Sequence, residues 1–144
     1  MKRIALTVLL LIAGCFAFAE FANVAICDGW YDLVVDIAPE LSADAESIAF
    51  VGANNADMAT SFGNAVDDML PHFDKSDSTE TFTLNVGFSY RASGLLGRTW
   101  GHAREYSHVV VVISRSDGTR DVYIAPVPHR DDSKHIVVTA SCAA

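Results

Sequence analysis

The side chains best suited to recognise another molecule are concentrated between residues 91 and 105. This segment combines one tryptophan and three arginines with three glycines and one histidine. Tryptophan and arginine often dominate the binding energy of protein interfaces, and long loops often carry binding residues. We therefore predict a binding loop whose contacts are made by Arg98, Trp100, His102 and Arg104. The alternative is that Trp100 folds back onto the core and that the arginines neutralise acidic groups of the same molecule.

Histidines offer a second kind of chemistry, because imidazole is the commonest metal ligand in proteins. Four of the five lie in the last third of the chain: His102, His108, His129 and His135. Their spacing matches no zinc pattern. Motifs typical of serine hydrolases, zinc proteases and phosphate-binding loops are missing from the sequence. We therefore predict a protein that is not an enzyme, with no catalytic residues, no metal ligands and no cofactor.

Residues 1–19 have the composition of an export signal. Two basic residues precede an apolar run, which ends in Ala17-Phe18-Ala19, and this order is typical of a secretory signal peptide cleaved after Ala19. Ile12-Ala13-Gly14-Cys15 also resembles the lipobox of bacterial lipoproteins. That resemblance implies lipidation at Cys15, while an uncleaved anchor is a third alternative. Either of the first two places the protein in the periplasm or anchored to a membrane of the bacterial envelope.

Cys27 and Cys142 are the two cysteines beyond the predicted leader. Export into an oxidising compartment favours a disulfide between them, since no C-x-x-C motif indicates a metal or redox site. One cysteine precedes the first predicted strand and the other follows the last. A bridge would therefore tie the ends of the folded chain together. By closing a loop of about a hundred residues, it would stabilise the fold by about 4–5 kcal/mol.

A β-hairpin is the clearest local structure that the sequence predicts. Two arms rich in valine, isoleucine and tyrosine flank Asp117-Gly118, the pair typical of a two-residue type I′ turn. This turn places Ser116 opposite Thr119 and pairs Val111 with Ile124. Both faces of the hairpin are apolar near the middle, which indicates a sheet that is covered on both sides.

Alternating apolar and polar residues predict the other strands. In the first of them, alternate residues from Tyr31 to Ile37 form an apolar face. A helical spacing of apolar residues predicts a helix near 56–70, with Asn55 as its N-cap. We therefore predict an all-β fold in residues 20–144, a single antiparallel two-sheet sandwich of the immunoglobulin-like kind with one short helix or helical crossover. The predicted strands are 30–37, 46–52, 81–90, the two hairpin arms and 134–140.

The charged residues are unevenly distributed along the chain. Residues 4–74 contain acidic residues but no lysine or arginine. Removal of Lys2 and Arg3 with the leader changes the net charge from −8 to −10. Asp32 and Asp36 give the first strand an acidic outer face. This charge argues against nucleic acid and anionic membrane surfaces as partners, so a lipid anchor at Cys15 is the one membrane contact that we predict.

These observations predict a non-catalytic exported protein that binds or assembles with another protein of the cell envelope. The acidic face has three alternative interpretations, which are solubility with repulsion between copies, a docking face for a basic partner, and a divalent-cation site. The alternative function is a metal- or carbohydrate-binding module of the periplasm. A metal site would join His108 to His129, because the predicted hairpin register places His108 opposite Val127. A carbohydrate platform would consist of the aromatic residues Trp30, Tyr31, Trp100 and Tyr106.

Overall fold

Eight strands, three α-helices and two 3₁₀ helices form the part of the chain that the computed structural model describes, which comprises residues 24–93, 99–130 and 132–144. Side chains at 24–28, 90–93 and 99–103 lie outside that description, as does the predicted leader with Cys15 and Ala19. The strands are β1 (Val24–Ile37), β2 (Ala45–Ala53), β3 (Asp74–Lys75), β4 (Thr81–Ser93), β5 (Thr99–Arg104), β6 (His108–Arg115), β7 (Arg120–Pro126) and β8 (His135–Val138). The helices are α1 (Pro39–Ser42), α2 (Ala56–Asn64) and α3 (Val66–Met69), with 3₁₀ helices at Leu70–His72 and Ala140–Cys142.

Two four-stranded sheets form a β-sandwich. The first sheet has the strand order β5-β4-β1-β8, and the second has the order β3-β2-β6-β7. Between the sheets, the ring of Phe50 on β2 stacks on the ring of Phe82 on β4, with the centroids 4.0 Å apart. Alternate residues of β1 from Tyr31 to Ile37 are buried, as their apolar pattern predicts. The all-β sandwich predicted from the sequence is therefore confirmed.

By its internal contacts the chain divides into two compact units. Of the described residues, the smaller unit holds 24–29, 88–93 and 99–103, and the larger unit holds 30–87, 104–130 and 132–144. In the smaller unit, the ring of Phe88 lies so close to Gly29 that a methyl group there would stand 3.0 Å from it. The larger unit contains the whole second sheet, β8, and the stacked pair Phe50 and Phe82. The extent of the predicted domain, 20–144, stays a prediction.

The β6–β7 hairpin is present, but its turn differs from the predicted one. Of the described residues, only Gly118 has a positive φ, 84°, so Asp117 cannot occupy a type I′ position. The amide of Arg115 donates to the carbonyl oxygen of Thr119 at 3.0 Å, which leaves three loop residues, 116–118. The carboxylate of Asp117 accepts a hydrogen bond from the amide of Thr119 at 2.8 Å. This local bond supports a longer loop, in which glycine alone takes the left-handed conformation.

The three-residue loop shifts the hairpin register by one position. Val111 lies opposite Tyr123, not opposite Ile124 as predicted. Because side chains alternate along a strand, a shift of one residue exchanges its two faces. Tyr123 therefore shares the face of Val111 between the sheets, while Val122 and Ile124 pack on the opposite side. The predicted pairs of the hairpin were wrong for this reason.

A helical layer covers the far side of the second sheet. The predicted helix is present but breaks at Ala65 (φ −107°, ψ 25°), where α2 ends and α3 begins. The predicted N-cap is confirmed, since Asn55 accepts a hydrogen bond from the amide of Met58 at 2.8 Å. The second sheet is thus apolar on both faces, as the hairpin sequence predicted. The buried residues of this layer are Ala49, Ala53, Ala59, Phe73, Val110 and Val112.

The pairing of β8 with β1 is parallel, which the predicted antiparallel sandwich did not include. β8 forms the edge of the first sheet beside β1, with Val34 opposite His135 and Asp36 opposite Val137. The amide of Val34 donates to the carbonyl oxygen of Lys134 at 2.9 Å. Residues that are opposite each other in a sheet share a face. His135 and Val137 of β8 therefore lie on the same outer side of the sheet as Val34 and Asp36 of β1.

Candidate functional site

The segment predicted as a binding loop is mostly strand, since Thr99–Arg104 form β5 at an edge of the first sheet. Of the predicted binding residues, Arg98 lies outside the described residues, and the side chains of Trp100 and His102 are not among those described. Arg104 is half-buried at the end of β5. Burial raises the pKa of Tyr31, and the charge of Arg104 opposes that shift. The prediction of a loop was therefore wrong for Thr99–Arg104, while a binding role for these four side chains stays a prediction.

Three of the four large apolar side chains exposed in the described part of the chain lie on the outer face of the first sheet. Trp30 is 65% exposed, Val137 is 48% exposed and Val34 is 39% exposed. The fourth is Met58 on α2, which is 36% exposed. Exposed apolar residues that share one surface are typical of binding sites. The outer face consists of Trp30, Asp32, Val34 and Asp36 of β1, Thr81, Thr83, Asn85 and Gly87 of β4, His135 and Val137 of β8, and Glu105.

Hydrogen bonds between side chains hold the polar residues of the outer face in place. The amide nitrogen of Asn85 donates to the carboxylate of Asp32 at 2.9 Å. The carboxylate of Asp36 lies 2.7 Å from Nε2 of His135, and it also accepts a hydrogen bond from Thr81. The bond with His135, aided by the bond with Thr81, lowers the pKa of Asp36. These contacts tie β1 to the strands on both of its sides.

The indole of Trp30 lies over Gly87 on the neighbouring strand. A methyl group built on Gly87 would stand 3.1 Å from Cζ3 of Trp30 and 2.9 Å from Oε2 of Glu105. The amide of Gly87 donates to the same Oε2 at 3.3 Å. A side chain at this position would force the indole or the carboxylate to shift, because the two groups occupy the space above Gly87. Because Cζ3 of Trp30 and Oε2 of Glu105 are both close to this methyl position, the two atoms lie no more than about 6 Å apart.

A shallow groove of about 500 Å³ lies at the end of β1 and continues the outer face. Asp36 and Glu80 contribute carboxylates to it, and Val137 contributes an exposed apolar side chain. Lysine and arginine are missing from the residues that line the groove and from the outer face as defined above. The outer face is therefore acidic as well as partly apolar. The groove is lined by Asp36, Ile37, Ala38, Pro39, Ser42, Glu80, Thr81 and Val137.

The histidines that suggested a metal site have other neighbours in the structure. His108 lies opposite Pro126, one position away from its predicted partner. Its Nδ1 is 2.8 Å from the hydroxyl of Ser107, and His135 is hydrogen-bonded to Asp36. Within residues 24–93, 99–130 and 132–144, no group of three or more histidine, cysteine, aspartate or glutamate side chains is placed to hold a metal ion.

The aromatic platform predicted for a sugar is divided between different surfaces. Trp30 is on the outer face, whereas the next residue, Tyr31, points into the core and donates its hydroxyl to the carbonyl oxygen of Pro128 at 2.9 Å. The ring of Tyr106 packs on Gly52, where a side chain would clash with it. Burial raises the pKa of Tyr106, and a hydrogen bond to its neighbour Glu105 adds to the shift. Among the described members of the set, Trp30 alone offers an exposed ring.

The alternation in the sequence predicts the outward positions of Asp32 and Asp36 correctly, but it does not predict the site as a whole. The contact between Trp30 and Gly87 depends on the register of two strands that are separated by more than forty residues of sequence. The addition of Val137 depends on the parallel pairing of β8. One signal was available, since a tryptophan that continues the polar side of an alternating strand indicates an exposed aromatic residue.

Comparison with known proteins gives no assignment. No protein-family model, no curated protein and no solved structure matches this chain. Among the described residues, none of the helices has the length and apolar character needed to cross a membrane. The function must therefore be inferred from the outer face and from the chemistry of its side chains.

Acidification is expected to remove a small part of the stability through Asp36. Its pKa is lower in the folded than in the unfolded protein, so the bonds contribute stability above about pH 3.9, and this stability is lost as the pH falls through the folded value. The effect is small because the pair is exposed to solvent. Urea denaturation at neutral pH and at about pH 3 should show less acid sensitivity in Asp36→Asn than in the wild type. Asp57→Asn is the control and should be as sensitive to acid as the wild type. Equal acid sensitivity of Asp36→Asn and the wild type would contradict this expectation.

Proposed function

We propose that this protein is a non-catalytic, exported protein of the cell envelope that binds another envelope protein through the outer face of the first sheet. The concentration of Trp30, Val34 and Val137 on that face is the observation that carries the proposal. Apolar side chains on one exposed surface gain free energy when a partner removes them from water. Tryptophan is also the residue type most enriched among those that dominate binding energy.

The charge of the outer face indicates the chemistry of the partner. Asp32, Asp36 and Glu105 lie on this face, Glu80 lies in the adjoining groove, and His135 is the one base among the outer-face side chains that the structure describes. Charges of opposite sign steer association and select between partners, while charges of like sign disfavour the wrong ones. The surface therefore favours a partner with basic groups, and it disfavours nucleic acid, anionic membranes and a second copy of the same face.

The location in the envelope is supported by residues 1–19. Their basic start, apolar run and Ala17-Phe18-Ala19 ending fit an export signal, and the Ile12 to Cys15 segment fits a lipobox. Cleavage after Ala19 would give a periplasmic protein, and lipidation at Cys15 would give an anchored one. A non-catalytic role is supported by the sequence, in which no motif for nucleophilic or metal-assisted catalysis is found.

A disulfide between Cys27 and Cys142 remains part of the proposal. Cys142 carries a free, half-buried thiol in the structure, and the side chain of Cys27 lies outside those described. If the bridge forms after export, the unreduced protein should react with no thiol reagent, because Cys15 is either removed or lipidated. Mass spectrometry after alkylation measures this directly. Two alkylated cysteines in the exported protein would show that the bridge does not form.

Photocrosslinking in the cells that produce the protein tests the proposed binding face. Replacement of Val34 or Val137 by the photoreactive residue p-benzoylphenylalanine is expected to give the same covalent adduct, which mass spectrometry can identify as an envelope protein. The matched control is the same replacement at Met58, which is exposed but lies on α2. The proposal fails if the two outer-face positions give no adduct or give the same adducts as position 58.

A carbohydrate-binding module is the second candidate function. One observation favours it, since the exposed indole of Trp30 lies one outward position from the hydrogen-bonded pair of Asp32 and Asn85. An indole can stack on a sugar ring, and carboxylate and amide groups can bond its hydroxyls. Carbohydrate binding is only the second candidate, because no other ring of the predicted platform is exposed among the side chains that the structure describes.

A further inference from the structure

We infer that Trp30, Asp32 and Glu105 form a subsite for a guanidinium group, so that an arginine side chain of the partner stacks on the indole of Trp30. This inference rests on the proposed function, because it names the group by which an envelope protein would be recognised on the outer face. It assigns the acidic residues around Trp30 a specific role, and it predicts what the partner must present.

The geometry places two carboxylates beside an exposed aromatic ring. Trp30 is 65% exposed although part of its indole lies against Gly87. Oε2 of Glu105 is within about 6 Å of Cζ3 of that indole. Asp32 is the next outward residue on β1, about 7 Å along the strand. A cation above the ring would therefore be attracted by the electron-rich face of the indole and by both carboxylates.

Neutral donors hold these two carboxylates. Asp32 is bonded by the side-chain amide of Asn85, and Glu105 is bonded by the backbone amide of Gly87. These donors orient the oxygens without cancelling their negative charge, and no lysine or arginine among the described side chains forms an ion pair with either. Both carboxylates keep lone pairs for a further donor.

Three acidic residues among the described side chains are paired with basic side chains. Asp121 forms an ion pair with Arg115, with 2.8 Å between the charged atoms, and Asp67 forms one with Arg120. On the outer face itself, Asp36 is bonded to His135. In the part of the chain that the structure describes, Asp32 and Glu105 share the lack of a cationic partner with most other acidic residues, and they differ from those residues by their position beside the exposed indole of Trp30.

An arginine satisfies this arrangement better than the other groups a protein can present. Its guanidinium is planar, weakly hydrated and always charged, so it can stack on an indole while its edges donate hydrogen bonds to carboxylates. A sugar could use the same ring and donate hydroxyl groups to the carboxylates, but it carries no positive charge to offset their two negative charges. The unpaired charges favour the arginine.

Nuclear magnetic resonance with a minimal probe can test the subsite on the exported, full-length protein. The probe is the peptide acetyl-Gly-Arg-Gly-amide, and the control peptide replaces arginine by citrulline, which has nearly the same shape but no charge. The indole N–H signal of Trp30, assigned by its loss in Trp30→Phe, should shift with the arginine peptide. At low ionic strength we expect the arginine peptide to bind about fivefold more tightly than the citrulline peptide, the ratio that about 1 kcal/mol gives.

Substitutions that remove charge but keep shape separate this mechanism from general attraction. Asp32→Asn and Glu105→Gln are each expected to weaken binding of the arginine peptide about two- to fivefold and to leave the citrulline peptide unaffected. Asp57→Asn is the matched control, because it removes one charge from α2, away from the outer face, and should change neither. The unchanged amide spectrum of each variant outside the site shows that it is folded.

The inference is overturned if the two peptides bind equally, if Trp30 does not respond to arginine, or if Asp57→Asn has the same effect as the other two. It is also overturned if chitotriose shifts the Trp30 signal at lower concentration than the arginine peptide, which would indicate a sugar subsite.

These results are independent of the crosslinks at Val34 and Val137. Crosslinks without arginine binding refute only the subsite, and arginine binding without crosslinks refutes the protein partner and leaves the subsite with a different occupant.

Discussion

Truncation of Phe82 to alanine is expected to lower the free energy of unfolding by about 3–5 kcal/mol. Phe82 is buried on the inner side of β4, and its ring stacks on that of Phe50 from the second sheet, with 4.0 Å between the centroids and 14° between the planes. The loss combines the apolar surface no longer buried with a cavity that the two sheets cannot fully close. The midpoint and slope of a urea denaturation curve measure it.

The neighbouring residue provides the control for this prediction. Thr83 follows Phe82 on β4 but points to solvent, so Thr83→Ala should change the stability by no more than about 0.5 kcal/mol. Combining Phe82→Ala with Phe50→Ala in a double-mutant cycle should reveal a coupling of about 0.5–1.5 kcal/mol from the aromatic contact. A small loss in Phe82→Ala, or no coupling to Phe50, would mean that the sheets are not held together at this stack.

Substitution of Trp30 by alanine is expected to have the opposite profile, with a large effect on binding and a small effect on folding. Binding of the partner identified by crosslinking should weaken by about 2 kcal/mol or more, which is roughly thirtyfold, as for an aromatic residue that dominates an interface. Stability should fall by no more than about 1 kcal/mol, because most of the side chain is exposed and only its contact with Gly87 is lost. Isothermal titration calorimetry and urea denaturation measure the two quantities.

Met58→Ala is the matched control for the binding measurement. It also removes a large exposed apolar side chain, but from α2 rather than from the outer face, so partner affinity should be unchanged. A stability loss of about 3 kcal/mol or more in Trp30→Ala would identify Trp30 as part of the folded core, as for a buried aromatic residue. Equal losses of affinity in the two variants would show that the partner recognises apolar surface without regard to its place.

The two predictions reflect a division of roles between the faces of the first sheet. Along β4, Phe82 points inward and Thr83 outward, and along β1, Tyr31 is buried while Trp30 is exposed. Because adjacent residues of a strand face opposite sides, the sheet can keep a stable inner core while its outer side carries exposed groups. The outer face can therefore serve binding with little effect on the core.

Several features of the fold could be predicted because they depend on neighbours in sequence. The apolar alternation from Tyr31 to Ile37 indicated a half-buried strand, and those residues are buried in the structure. Asn55 indicated the start of a helix, since its side chain needs only the amide of Met58 three residues later. The outward position of Asp32 followed from the same alternation.

Pairing between strands that are distant in sequence determined the features that were left open or predicted wrongly. A two-residue loop and a three-residue loop differ only in the backbone conformation around Asp117 and Gly118. The three-residue loop places every residue of β7 on the face opposite to the predicted one. The segment around Gly101 was read as a loop, yet its residues gain strand hydrogen bonds that exist only once β4 is in place beside it.

The sequence by itself determined the alternation, the helix start and the acidic character of this protein, because each depends on residue types within a few positions of one another. Tertiary structure decided the candidate site. Trp30 meets Gly87 and Glu105 only through the register of the first sheet, and Val137 joins the outer face only because β8 pairs in parallel with β1. The physical reason is that backbone hydrogen bonds between strands are chemically alike at every residue, so partner and register are selected by the packing of the whole core.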